Sequence, residues 1–191
     1  MQTGITAPRV LGGIGLTGAV AILALLFWAV ARPATGSGGI GVNAAGAAVS
    51  LTPRPAAEVT LQLFDAAATR WRLGDQRGRT VILNFWASWC APCRTEAGVL
   101  AQAARDYAPR NITLVGVNLW DDPAAARPFL TEFGITYPSG SDPSRTAGVE
   151  YGVTGIPETF VIDAAGRLTQ RWIGPVTRTD LDALVKESPA R

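Results

Sequence analysis

An α/β domain with a mixed central sheet flanked by helices is the fold class the sequence predicts, and three observations predict it. Val81-Ile82-Leu83-Asn84-Phe85-Trp86 is a near-continuous apolar run of strand length, the pattern of a strand covered on both faces. Cys93, Ala97, Leu100, Ala104 and Tyr107 then recur at spacings of 4, 3, 4 and 3, the period of one helix face, until Pro109 stops it. Ile112 to Val117 is a second buried run. Strand, helix and strand therefore follow in the order of a right-handed βαβ unit.

The remaining elements extend this core on both sides. Val59 to Phe64 alternates enough for an edge strand, and Trp71 to Leu73 is placed to pair with it across the turn-like Asp65 to Thr69. Asp122-Pro123 has the form of an N-cap with Pro at N1, opening a helix toward Phe133 that Pro128 distorts. Asp142-Pro143 repeats the device before a short helix through Glu150. Glu158 to Ile162 and Leu168 to Trp172 read as hairpin strands around Ala165-Gly166, and Thr179 to Lys186 as a closing helix. A parallel half of the sheet is thus followed by an antiparallel half, in one domain of residues 58–191.

What precedes that domain has a different character. Residues 1–9 are a short tail, and residues 10–31, Val10 to Ala31, carry no charge at all. As a helix such a stretch spans about 33 Å, enough for a hydrocarbon core of about 30 Å, so it reads as a transmembrane signal anchor. Ala29-Val30-Ala31 also fits the cleavage site of a removable signal peptide. On either reading the domain is exported. Residues 32–57, rich in Gly, Ala, Pro, Ser and Thr, read as a flexible tether. Gly13, Gly15 and Gly18 spell a dinucleotide-binding pattern but sit inside the apolar run, where small-residue helix packing is the plainer account.

Composition removes several function classes. The 191 residues contain no histidine, which eliminates Cys-His and Ser-His-Asp nucleophiles and His-ligated metal centres. The first 54 residues hold Arg9, Arg32 and Arg54 and no acid, leaving 14 bases against 15 acids, so the domain has no basic face for nucleic acid. No cofactor and no metal are expected. Asp121 and Asp122 read as turn and cap residues, and the glycosylation-like Asn111-Ile112-Thr113 has no other support.

Two cysteines remain, in Cys90-Ala91-Pro92-Cys93, where the central strand gives way to the first helix. A cysteine at a helix N-terminus lies beside unpaired N–H groups and the positive dipole end, both of which favour thiolate over thiol. Cys90 is therefore the expected nucleophile, and Cys93, one turn further in and more buried, the resolving thiol. The spacing lets the pair close a small disulfide ring, a reversible two-electron couple, with the outer sulfur reachable. Trp89 and Pro92 stiffen and shield the turn. A structural disulfide or half of a shared zinc site are the competing readings.

The stretch Phe85-Trp86-Ala87-Ser88-Trp89-Cys90-Ala91-Pro92-Cys93-Arg94-Thr95-Glu96 resembles the active-site segment of the thioredoxin superfamily. Tyr151-Gly152-Val153-Thr154-Gly155-Ile156-Pro157-Glu158-Thr159-Phe160-Val161-Ile162-Asp163 is similar to the cis-proline segment of its membrane-tethered TlpA/ResA/CcmG (DsbE) type of extracytoplasmic reductases. The resemblance spans about residues 55 to 190. It implies a thioredoxin-like fold and a cis Ile156–Pro157 peptide. It also implies a substrate-binding role for Trp89, Ile156, Pro157 and Glu158, with Glu158 setting substrate preference and local acidity. Where cytoplasmic thioredoxins have a buried Asp, this chain has Asn84; the resemblance assigns the proton work on Cys93 to Glu96 instead. The implied partners are a protein disulfide, namely apocytochrome c, and a membrane dithiol donor. A peroxidase relative fits poorly, because Ala87 stands where the peroxidase motif has Thr. A non-catalytic peptide-binding module of the same fold is the rival from another class.

Overall fold

The computed structural model describes residues 18, 20–25, 27–28, 41–65, 67 and 69–187. Most of the span read as an anchor lies outside these residues, as do Gly13 and Gly15. Residues 18, 20–25 and 27–28 are helical, with Val20, Leu23 and Phe27 exposed. No helix among the described residues is long and apolar enough to cross a membrane.

The domain is organised around β6 (Thr80–Trp86), every residue of which is buried. It pairs in parallel with β7 (Ile112–Asn118) from Thr80↔Ile112 to Trp86↔Asn118, and antiparallel with β10 (Glu158–Ile162) from Val81↔Ile162 to Phe85↔Glu158. Helix α1 (Ala91–Tyr107) makes the crossover between β6 and β7, burying Cys93, Ala97, Leu100 and Tyr107 on one face, the stripe expected from its spacing. A 3₁₀ turn at Ala108–Arg110, carrying Pro109, ends it. Beyond β7 the order continues through β8 (Ser139–Ser141), β4 (Thr60–Leu63) and β5 (Arg70–Arg72); beyond β10 it continues through β11 (Arg167–Ile173) to β2 (Ala47–Val49), with β3 (Arg54–Pro55) also on β11. A parallel β6-β7-β8 core followed by the antiparallel β10-β11 hairpin is the mixed thioredoxin-like arrangement that the sequence predicts.

Two layers of packing surround this sheet. On one face Phe85, Tyr151 and Phe160 form a tilted and edge-to-face triad with centroids 5.2–5.6 Å apart, whereas Trp86, the next residue of β6, points to the opposite face and stacks there on Phe129 of α2 (Pro123–Glu132). On the other, α1 and α4 (Arg178–Lys186) bury Leu100, Tyr107, Leu181 and Leu184 around Ile82 and Val161. Asp122 caps α2 by accepting from the Ala124 N–H at 2.8 Å, as its Asp-Pro form implies. Asp142-Pro143 works differently: α3 (Ala147–Glu150) starts at Ala147, and Asp142 reaches it from five residues upstream, accepting its N–H at 2.8 Å.

The segment read as a tether requires a correction. Residues 41–55 carry three short strands: β2 and β3 cover the outer edge of β11, and β1 (Gly41–Val42) pairs in parallel with β9 (Gly155–Ile156). The folded unit therefore begins well before Glu58. Strands of two or three residues carry no periodic signal, because their order comes from the unpaired backbone edge that receives them. β4 is correspondingly an interior strand between β8 and β5, not an edge.

Candidate active site

Cys90 and Cys93 are joined as a disulfide with their Cα atoms 5.3 Å apart. Cys90 is the N-cap of α1: its φ/ψ are extended, Pro92 stands in the first turn, and its Sγ accepts from the Cys93 N–H at 3.2 Å. That N–H is one of the orphan donors of the helix start, so a Cys90 thiolate would inherit both it and the positive end of the dipole. Cys93 lies one turn inside, packed among core residues that include Ala97 and Ile156. The expected exposure difference is not present in this disulfide form: Cys90 and Cys93 are 0% and 2% exposed. The surface of the site belongs instead to Trp89, 51% exposed, whose indole N–H donates to the Trp120 carbonyl at 2.8 Å.

The loop holding this turn is fixed from β7 and the loop that follows it. Asp121 accepts from the Ser88 N–H at 2.6 Å and the Ser88 hydroxyl at 2.8 Å, and from the Asn118 amide at 2.9 Å. Asp121, expected as a turn residue, thus also holds the cysteine loop through Ser88; Trp120, in a left-handed conformation and 56% exposed, has no sequence motif to announce it. With Asp122, Arg145, Val149 and Val153 they line an open groove of about 610 Å³.

Ile156–Pro157 is a cis peptide at the end of the sheet where β6 delivers the cysteine turn. Ile156, Pro157 and Glu158 are all buried, so their side chains offer no surface to a partner. Glu158, expected to influence substrates and local acidity, brackets the loop. Its Oε2 pairs with Arg171, whose Nη2 is 2.7 Å away and Nε 2.9 Å away. Its Oε1 accepts from the Thr154 N–H at 2.9 Å, the Thr154 hydroxyl at 3.0 Å and the Gly155 N–H at 3.2 Å. Arg171 also donates to the Gly152 carbonyl at 3.0 Å, so one ion pair ties the start and the end of the segment to β11.

Glu96 lies one turn beyond Cys93 on α1, 1% exposed. Its Oε1 accepts from the Asn84 side chain and its Oε2 from the Val176 N–H, both at 2.8 Å. Burial without a cation pushes its pKa up to about 8, and the two donors only partly offset that. Asn84, which cannot titrate, thus holds a carboxyl that can. Among the described residues no group of three or more potential ligands could hold a metal ion.

A disulfide-forming pair at a helix N-cap, beside a cis-proline loop on a sheet of this topology, defines a thiol–disulfide oxidoreductase. The chain belongs to the AhpC/TSA family, whose model matches residues 53–171. It is 41% identical over 129 residues to the thiol:disulfide interchange protein HelX of Rhodobacter capsulatus, covering 67% of this chain and 71% of that protein. It is 32% identical over 120 residues to the thiol-disulfide oxidoreductase ResA of Geobacillus kaustophilus, covering 63% and 69%. Among solved structures, a putative thiol:disulfide interchange protein DsbE from Chlorobium tepidum aligns with a TM-score of 0.64 and 29% identity, over 73% of this chain and 96% of that one.

Proposed function

We propose that this protein is a membrane-anchored, extracytoplasmic reductase of protein disulfides, with Cys90 as nucleophile, Cys93 as resolving thiol and Glu96 as the group that handles the Cys93 proton. The observation that carries this reading is the placement of Cys90 Sγ on the Cys93 N–H at the start of α1. In the reduced chain, the Cys90 thiolate attacks one sulfur of a substrate disulfide; a Cys90–substrate bond forms and the other substrate sulfur leaves as a thiolate, which takes a proton. Glu96 carboxylate accepts the Cys93 proton, and the Cys93 thiolate attacks Cys90 Sγ. This restores the Cys90–Cys93 disulfide and releases the second substrate thiolate. Two electrons pass to the substrate, and a membrane dithiol donor returns them.

Apocytochrome c, whose haem-attachment cysteines must be reduced before ligation, is the proposed substrate. The sequence likeness of Gly152 to Phe160 to the cytochrome c maturation reductases supports it, as do the relatives named as interchange proteins. Location outside the cytoplasm rests on the uncharged stretch 10–31. The test is capture in cells by the Cys93→Ser chain, which halts at the Cys90 mixed disulfide. Cytochrome precursors are expected among the captured proteins; their absence refutes the maturation role. A reduction potential near about −120 mV, that of a strong oxidant, would reverse the direction assigned here.

A further inference from the structure

Strand β9 is a two-residue backbone edge, and among the described residues its strand partner is β1, from the chain's own N-terminal side. The pairing is parallel, Gly41↔Gly155 and Val42↔Ile156, and is extended by the Asn43 N–H, which donates to the Ile156 carbonyl at 2.7 Å. The Asn43 side chain then donates to the Pro157 carbonyl at 3.3 Å and to Glu158 Oε1 at 3.4 Å. Two glycines make room for this contact. A Cβ on Gly155 would lie 2.9 Å from Asn43 Oδ1, and Gly41 has a φ of +106°, with the Trp120 ring 3.8 Å from where its Cβ would be. Trp120 is the residue whose carbonyl holds Trp89, immediately before Cys90.

An exposed strand edge binds extended peptide by main-chain hydrogen bonding, and any peptide reaching a disulfide beside this edge meets β1 already on it. We propose that residues 41–43 are a built-in strap that occupies the peptide-binding edge of the active site and must peel away when an extended substrate segment takes the Ile156 backbone. The strap is short, and its loss leaves Glu158 with Thr154, Gly155 and Arg171, so the loop it covers stays held. Substrate affinity is then reduced by the fraction of time the strap is closed, and opening it restores that affinity without altering the cysteine pair. This inference rests on the proposed reduction of protein disulfides for its biological meaning, though the competition itself does not depend on the direction of electron flow.

Two full-length variants and one exchange measurement test it. Asn43→Pro removes the N–H to Ile156 and both side-chain bonds; Asn43→Ala removes the side-chain bonds alone. KM for an extended peptide disulfide is expected to fall about fivefold in Asn43→Pro and about twofold in Asn43→Ala, with kcat and the reduction potential unchanged. An unchanged or raised KM in variants that melt cooperatively overturns the strap. Independently, amide hydrogen exchange is read at Asn43 in the Cys93→Ser chain, before and after an activated peptide disulfide is attached to Cys90. Protection before attachment and its loss afterward supports displacement; protection that persists with peptide attached overturns it. If the amide opens on attachment while the wild-type chain reduces no peptide disulfide, the strap stands and the reductase reading fails.

Discussion

Glu96 and Glu158 are both carboxyls withdrawn from water at the same end of the sheet, yet their surroundings give them opposite tasks. Glu158 meets Arg171 and a fan of backbone and side-chain donors, which makes it a fixed ionic bracket for the cis-proline segment. Glu96 meets two neutral donors and no cation, and burial leaves its pKa near 8, within reach of a proton exchanged at neutral pH. The same residue type is thus ion-paired in one place and held only by neutral donors in the other. Burial alone does not make a carboxyl functional; the presence or absence of a partner charge decides which function it has.

The comparison is broken most severely by removing the partner charge. Arg171→Met leaves Glu158 buried without its cation, and chemical denaturation is expected to show a loss of about 3–5 kcal/mol. Adding Glu158→Gln to that variant should recover part of the loss, since no uncompensated charge then remains. A loss below about 1 kcal/mol in the single variant would show that the bracket is not ionic.

Glu96 gives an effect that is smaller over any one pH unit and has a defined sign. Its folded pKa, about 8, is raised above its ordinary 4.5, so the folded state binds a proton that the unfolded state has released across that interval. The stabilisation is complete below about pH 4.5, falls by up to about 1.4 kcal/mol per pH unit, and is exhausted above about pH 8. Measured on the oxidised chain, where neither thiol titrates, Glu96→Gln should flatten this slope, and its stability relative to wild type should rise with pH. Parallel pH profiles for the two chains would remove Glu96 from the proton path.

The smallest effect belongs to a carboxylate that is neither buried nor central. Glu132 pairs with Arg94 at the surface of α2 and α1, with about half of each side chain exposed. Glu132→Ala is expected to change stability by no more than about 0.5 kcal/mol. A larger loss in thermal melting would mean that charge pairing on the outer face of α1 contributes to holding the cysteine turn.

How much of this was legible follows from the range of the interactions. The β6–α1–β7 unit was readable because seven buried strand residues and a helix stripe are local patterns, and Cys90 as helix cap followed from its place at their junction. The bracket role of Glu158 was not readable. Its partner lies in the next strand, and only the register that sets Phe160 opposite Arg171 brings the two together diagonally on one face. The strap was hidden for the same reason: Gly41 to Asn43 reads as linker until the edge of β9, over a hundred residues away, supplies its hydrogen bonds. Trp120 and Asp121 belong to this group too, since their roles depend on how β7 ends beside the cysteine loop.

The division of labour between the cysteines is tested most directly by single-thiol chains. Cys93→Ser and Cys90→Ser proteins, each offered the same peptide disulfide at neutral pH, are compared by the rate at which they accumulate a mixed disulfide. The helix-cap position of Cys90 requires that the Cys93→Ser chain capture one peptide per molecule rapidly and that the Cys90→Ser chain lag far behind. Equal or faster capture by the Cys90→Ser chain would contradict Cys90 as the attacking thiol.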